Sequence, residues 1–350
     1  MSRRAFAVVL LAGLFYGPLT STNLKGAESQ PLYAVAISPD GKLVATGGRD
    51  GSIIVRELGA GRESTKLNVG KTVLALAFAP DGQTLAAGCE DSHVHLWTVR
   101  GHDLIGSRAL ACRGNVLAVA FSPSGKWLAA GVEGSGNIHL FDVASAKLQC
   151  TIWEAANLIS SLAFTPDGKA LASAGVDFKL WDVRPEVLEA IASDRLDLDV
   201  AELRANGKRA QKWEAIGESE YAAGIAVSPD GKWLAGVTGI GGPNTGGKTL
   251  TTWDAASGRR LKTIASKGMT TVVITPKGDR MITGSDDGML RVWNAETAAL
   301  TNQWAAHSRA VRAIAIVPGS SFLATVGADG NLKIWDWSTG ELKSANGAKP

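Results

Sequence analysis

The sequence predicts an all-β chain, a β-propeller of seven four-stranded blades with a short helical insertion in the fourth. Three observations carry this. A phrase of alternating apolar residues closed by Ser-Pro-Asp-Gly or a relative recurs seven times along the 350 residues. The prolines of these phrases stand 41, 43, 43, 63, 47 and 42 residues apart, a period that corresponds to one propeller blade per copy. The composition is also lopsided, with 41 Gly and 11 Trp against 3 Tyr, as an architecture that reuses Gly in turns and Trp at strand ends requires.

Each blade opens on a strand that alternates, such as Ala34 to Ser38. The phrase that closes it appears as Ser38-Pro39-Asp40-Gly41, Ala79-Pro80-Asp81-Gly82, Ser122-Pro123-Ser124-Gly125, Thr165-Pro166-Asp167-Gly168, Ser228-Pro229-Asp230-Gly231, Thr275-Pro276-Lys277-Gly278 and the weaker Val317-Pro318-Gly319. Proline presets φ at the second turn position and glycine takes the left-handed one. A second strand of small residues follows, for example Leu43 to Gly48, where converging blades leave little room. Asp-Gly pairs at 50–51, 287–288 and 329–330 then mark a second tight turn. The third strand ends on an aromatic residue, often followed by Asp: Trp97, Phe141-Asp142, Trp181-Asp182, Trp253-Asp254, Trp293-Asn294 and Trp335-Asp336. A fourth, outer strand completes the unit, as at Lys147 to Trp153. All eleven tryptophans fall at repeat positions, so none is left over for a ligand cage.

These residues resemble the WD40 repeat family over residues 31–345, and the chain is similar to an exported, bacterial-type member of it. The first copy departs from the pattern, because its third strand, Ile54-Val55-Arg56-Glu57, has no aromatic residue. The resemblance implies a buried hydrogen-bond tetrad of loop His, strand Ser or Thr, turn Asp and Trp. It carries over in full only to the last copy, as His307, Thr325, Asp329 and Trp335. The spacing of 63 implies an insertion at 184–204, on the wider bottom face in the family's topology. Pro185 through Ser193 and Asp197 through Ala205 have helical spacing, with Pro185 at a first-turn position and the fourth strand resuming near Asn206-Gly207-Lys208. The insertion reads as a surface elaboration or as a docking element. The last outer strand is either Glu341 to Ala345 or a segment before Pro31.

Residues 1–27 read as a signal peptide: Arg3-Arg4, then an apolar run from Ala5 to Leu14 and on towards Leu19, with a cut after Thr22 or Ala27. The paired arginines also fit a twin-arginine export signal. The mature domain is then 28–350, in the periplasm or secreted, with no stable membrane insertion after cleavage. Lys and Arg number 36 against 33 for Asp and Glu. A cut after Ala27 removes Arg3, Arg4 and Lys25 and leaves the charges balanced, which argues against a nucleic-acid partner.

Catalytic and cofactor chemistry is not expected. Gly242 through Thr249 matches the phosphate-loop pattern letter for letter. Thr249 leads into a strand, however, and a phosphate loop must lead into a helix. His93 and His95 share a strand face and His139 aligns with His95 one blade on, a spacing adjacent metal ligands use. Other copies place Lys179, Thr251, Arg291 and Lys333 at that position, which points it to solvent and leaves no metal site expected. Cys89 reads as a small buried residue. Cys112 and Cys150 sit on outer strands that splay apart, against a disulfide.

Resemblance to WD40 proteins implies a non-enzymatic scaffold for protein partners, either a monomeric ring or one subunit of an envelope complex. The binding face is expected at the top, where fourth-to-first and second-to-third strand loops gather. Its candidates are Arg49, Lys71, Glu90, Arg113, Glu133, Asn157, Tyr221, Asp286 and Arg309. The alternative is a small-ligand binder or lactonase-like hydrolase in the central funnel. The innermost strands are expected to offer only Ala, Val, Leu, Ile and Phe, which argues against it.

Overall fold

The computed structural model describes residues 30–58, 63–153, 158–191, 200–215, 222–238 and 247–345. The first blade is built from β1 (Leu32–Ile37), β2 (Leu43–Gly48), β3 (Ser52–Glu57) and β4 (Glu63–Asn68). The second follows as β5 (Val73–Phe78), β6 (Thr84–Cys89), β7 (His93–Arg100) and β8 (Asp103–Ala111). The third is β9 (Val116–Phe121), β10 (Trp127–Val132), β11 (Asn137–Asp142) and β12 (Lys147–Trp153). The fourth is β13 (Ser161–Phe164), β14 (Ala170–Ala174) and β15 (Phe178–Asp182), then α1 (Pro185–Ala190) and α2 (Val200–Ala210), then β16 (Gln211–Ala215).

The fifth and sixth blades form one seven-stranded sheet, from β17 (Ala222–Val227), β18 (Trp233–Thr238), β19 (Gly247–Asp254), β20 (Arg260–Ile274), β21 (Arg280–Ser285), β22 (Met289–Asn294) and β23 (Leu300–Ala305). β20 serves twice. Its first half pairs with β19 as an outer strand and its second half with β21 as an inner one. The last blade is β24 (Val311–Ile316), β25 (Phe322–Gly327), β26 (Leu332–Asp336) and β27 (Glu341–Ala345). With β20 counted in both, the described strands make seven four-stranded antiparallel units. The innermost strands touch in sequence, β1 to β5, β9, β13, β17, β20 and β24, and β24 returns to β1. The ring closes with the C-terminal segment supplying its own outer strand, since β27 pairs with β26.

The core runs around the ring, between blades. Each blade buries one face against each neighbour. Ile53, Val55 and Leu43 of the first blade pack with Val73, Leu76 and Trp97 of the second. Val35, Ile37 and Val44 meet Ala313, Val326 and Leu332 of the last blade at the closing seam. The second strands need glycine where the next blade's inner strand crosses closely. A methyl on Gly88 would stand 2.7 Å from Val116 Cγ1, and one on Gly284 2.6 Å from Val311 Cγ1.

The Pro-Asp-Gly turns are tied locally. Ser38 Oγ donates to Asp40 Oδ1 (2.6 Å) and accepts from Leu43 N–H (2.8 Å). Ser228 repeats both bonds with Asp230 and Trp233. These turns also touch one another: a methyl on Gly82 would lie 3.6 Å from Pro39 Cδ of the preceding blade, on Gly125 3.7 Å from Pro80 Cδ, on Gly168 3.5 Å from Pro123 Cδ and on Gly278 3.5 Å from Pro229 Cδ. The repeated phrase therefore packs the rim at one end of the ring as well as turning the chain.

Three expectations are corrected. The insertion runs on to Ala210, and β16 starts at Gln211 rather than near Asn206. The helix continues through Asn206-Gly207 because α2 packs on β12, where Asn206 Nδ2 donates to the Thr151 carbonyl (3.3 Å) and Gly207 lets the helix approach the Trp153 carbonyl. The insertion is also no mere surface elaboration, because Leu188, Ile191 and Ala210 are buried in the core between the third and fourth blades. Pro185 does open α1, as the spacing predicts. Third, the innermost strands are not purely aliphatic and Phe: they carry Tyr33, Ser161, Thr270, Thr271 and Arg312.

Candidate protein-binding face

Antiparallel four-stranded blades put the second-to-third strand turns and the blade-to-blade connections at one end. Arg49, Glu90, Glu133 and Asp286 occupy such turns, and Lys71, Arg113 and Arg309 such connections. Asn157 and Tyr221 lie outside the described residues. Arg49, Lys71, Arg113, Asp286 and Arg309 are exposed, and Glu90 and Glu133 are half-buried.

The backbone under these side chains is fixed by one repeated bond. In five blades the residue after the second strand donates its N–H to the carbonyl just ahead of that blade's first strand, whereas in the fourth Gly175 donates to Asp177 instead. The repeated bond joins Arg49 to Pro31 (3.0 Å), Glu90 to Thr72 (3.1 Å), Glu133 to Asn115 (2.9 Å), Asp286 to Gly268 (2.7 Å) and Ala328 to Ala310 (2.9 Å). Asn115 Nδ2 also holds Glu133 Oε2 at 2.9 Å. The face is thus a rigid platform carrying both signs of charge. Partial burial, reinforced by the charge of Glu133, raises the Glu90 carboxyl above the usual carboxylate range. Partial desolvation of its carboxyl and the adjacent Asp287 do the same to Asp286.

The last blade contains the whole tetrad. Trp335 Nε1 donates to Thr325 Oγ1 (3.0 Å), and His307 Nε2 lies 2.8 Å from the same oxygen. His307 Nδ1 lies 2.9 Å from Asp329 Oδ1. An indole N–H only donates, so the Thr325 hydroxyl accepts from Trp335 and donates to Nε2, which puts the imidazole proton on Nδ1, facing Asp329. Burial lowers the His307 pKa, against the opposing pull of Asp329. Two other blades keep the Trp-to-hydroxyl bond alone, Trp181 to Ser173 and Trp293 to Thr283, both 2.9 Å.

The His95 register position does not face solvent. His139 is fully buried, with Nδ1 3.0 Å from Thr151 Oγ1, and burial lowers its pKa to about 4. Thr251 and Lys179 are also buried, and Lys179 Nζ pairs with Glu214 Oε1 at 3.4 Å. Blades pack face to face, so a polar residue on a third strand can be covered by the neighbouring blade. His95 itself stacks on Trp97 (centroids 5.8 Å apart) and its Nε2 lies 2.6 Å from Asp91 Oδ2. All three cysteines are free and buried, and burial pushes the thiols of Cys112 and Cys150 up to about 12. Residues 239–246 lie outside the described residues, but Gly247–Asp254 is a strand, so the phosphate-loop pattern lacks the helix it needs.

Sequence reasoning missed Arg312, which stands on β24 with its guanidinium 5.7 Å from the Tyr33 ring across the closing seam. The signal was available, since it is the sole charged residue on any first strand. Arg312 is half-buried, and burial lowers its pKa against the pull of Tyr33 and Asp286. Among the described residues no helix is long and apolar enough to cross a membrane.

The family description "WD domain, G-beta repeat" matches residues 18–56, 64–98, 106–142, 147–182, 258–294 and 299–336. The stretch it leaves out between 182 and 258 holds the insertion and the Gly-rich segment. An uncharacterized WD repeat-containing protein of Synechocystis sp. is 32% identical over 154 residues, 37% of this chain and 41% of the relative. The small ribosomal subunit protein RACK1y of Oryza sativa subsp. japonica is 44% identical over 78 residues, 22% of this chain and 23% of the relative. The small ribosomal subunit protein RACK1 of Medicago sativa is 34% identical over 83 residues, 24% of this chain and 25% of the relative. The chain thus aligns with less than half the length of each of these curated relatives. The six matches cover more than half of its residues, and the chain belongs to the WD40 repeat family.

Proposed function

We propose that this chain is an exported, non-enzymatic scaffold that binds a protein partner through the top face of its propeller. The observation that carries the reading is the platform itself: seven charged side chains of both signs, gathered at one end on backbone that repeated hydrogen bonds hold in place. Such a surface suits a partner of complementary charge pattern, because fixed charges set register and steer encounter. Relatives named as ribosomal-subunit proteins are, by that name, parts of an assembly, which supports a role in binding. The balanced charge of residues 28–350 speaks against nucleic acid. Export rests on Arg3-Arg4 and the apolar run that follows, although the first family match begins at residue 18, inside that segment.

Affinity capture from the exported fraction tests this, comparing wild type with the triple variant Arg49→Glu, Glu90→Arg and Arg309→Glu. The variant is expected to lose its partner while keeping the wild-type circular dichroism. Undiminished capture removes the top face from the proposal. Fractionation of the producing cells tests export, and protein confined to the cytoplasm refutes it. Size-exclusion of the native envelope fraction separates a free ring from a subunit of a larger complex.

A further inference from the structure

The turn between β6 and β7 brings three different metal-ligating side chains together. Cys89 Sγ, an Asp91 carboxylate oxygen and a His95 ring nitrogen all lie within 4.8 Å of one another. Asp91 is aimed by the backbone: its Oδ1 accepts the His93 N–H at 3.0 Å, leaving Oδ2 directed at His95 Nε2, 2.6 Å away. Ser92 takes a left-handed φ of 64°, which closes the turn tightly enough to set Cys89 against the start of β7. His95 is held flat against Trp97. Cys89 is fully buried, while the side chains of Asp91 and His95 are 23% and 19% exposed, so an ion has a path from solvent on their side.

The last blade shows what is unusual here. There the position matching Cys89 is Gly327, and a methyl on it would stand 2.6 Å from His307 Nδ1. The loop histidine fills that space. In the second blade Val69 stands in place of His307 and Ala87 in place of Thr325, whereas the aspartate and the tryptophan remain as Asp91 and Trp97. With the hydrogen-bond network gone, a thiol occupies the vacated space and an imidazole from the third strand approaches the aspartate.

We propose that Cys89, Asp91 and His95 form a site for one divalent transition-metal ion of the zinc class, with water as the fourth ligand. Sulfur, imidazole and carboxylate together select borderline ions such as Zn²⁺ or Co²⁺ over Mg²⁺ and Ca²⁺. A thiolate and a carboxylate balance the 2+ charge, so the centre is neutral at a half-buried position. Tetrahedral zinc keeps its ligand atoms about 3.3–3.7 Å apart. The Asp91–His95 pair therefore opens from 2.6 Å, and Cys89 Sγ draws in by up to about 1.5 Å. The bound ion fixes the turn that carries Glu90, which makes it a structural clip on the upper rim.

Titration of untagged protein with Co²⁺ tests this by optical spectroscopy. The expected result is one equivalent bound, with tetrahedral visible bands and a thiolate-to-cobalt charge-transfer band that Zn²⁺ abolishes. Cys89→Ala is expected to remove the charge-transfer band, and His95→Gln and Asp91→Asn to weaken binding at least tenfold. Cys150→Ala and His102→Gln are expected to leave it unchanged. His95 lies at the edge of the core, so His95→Gln keeps the test valid if Cys89→Ala fails to fold. Absence of a charge-transfer band at one equivalent, its survival in Cys89→Ala, or full affinity in His95→Gln each overturns the proposal.

Discussion

Replacing Thr325 by Val tests whether the tetrad of the last blade stabilises the ring. The two side chains have nearly the same shape, so the substitution opens no cavity of consequence. It removes one oxygen that serves two buried partners, Trp335 Nε1 at 3.0 Å and His307 Nε2 at 2.8 Å. Each buried polar group left without a partner costs about 1–3 kcal/mol, so Thr325→Val should destabilise the protein by about 2–6 kcal/mol. The sixth blade supplies an internal control. Thr283 Oγ1 accepts from Trp293 Nε1 at 2.9 Å and has no histidine behind it, so Thr283→Val strands one donor, for about 1–3 kcal/mol. Urea unfolding followed by tryptophan fluorescence measures both. Thr325→Val must come out the more destabilising, and Thr325→Ser, which keeps the hydroxyl, must recover most of the loss. Equal destabilisation of the two valine variants refutes the argument that the histidine doubles what rests on that oxygen.

Stability should fall as pH drops from about 6.5 towards 4. Burial holds His139 at about 4 and lowers His307, so both are neutral in the folded protein while the unfolded chain takes up protons. Their contribution is complete above pH ~6.5 and is lost as pH falls through the folded values. His139→Gln should flatten the urea midpoint against pH over that window, and an unchanged slope contradicts it. Leu188→Ala in α1 should destabilise by about 2–5 kcal/mol, since the side chain is 1% exposed in the core between the third and fourth blades. A thermal midpoint equal to wild type would return the insertion to the surface. Gly88→Ala should cost about 1–3 kcal/mol through overpacking against Val116, and a neutral result in urea unfolding would mean that the blades can separate without strain.

The repeat was legible because turns and strand ends have local causes. Proline and glycine fix the Pro-Asp-Gly turns wherever they occur, and Trp at the end of a third strand buries against the preceding blade whatever the rest of the repeat does. What sequence could not give was the burial of third-strand positions such as 139 and 251, because polarity reports solvent only when one face of a sheet is open. The start of β16 was misplaced near Asn206 for a similar reason: that stretch is held in α2 by packing on β12, a contact between segments distant in sequence. The candidate face was legible as loop positions, but the bond that fixes its backbone joins residues 18 apart, as from Arg49 to Pro31, and no local signal announces it. The Cys89-Asp91-His95 cluster was half visible. Its histidine was noticed beside the wrong partner, His139, because strand alignment between blades is not proximity.

β20 has a consequence for how such a ring can be rearranged. The fifth and sixth blades are one hydrogen-bonded sheet, and the chain crosses between them without leaving it. Between the first two blades, by contrast, residues 69–72 belong to no strand. New chain ends placed at 69–72 cut a connection, whereas ends placed near Gly268 cut a ladder on both sides. Circular permutants should therefore survive at the former and fail at the latter. In modular terms the described residues show seams and, between the fifth and sixth blades, a weld, and the two welded blades are the pair that duplication, loss or exchange would move together.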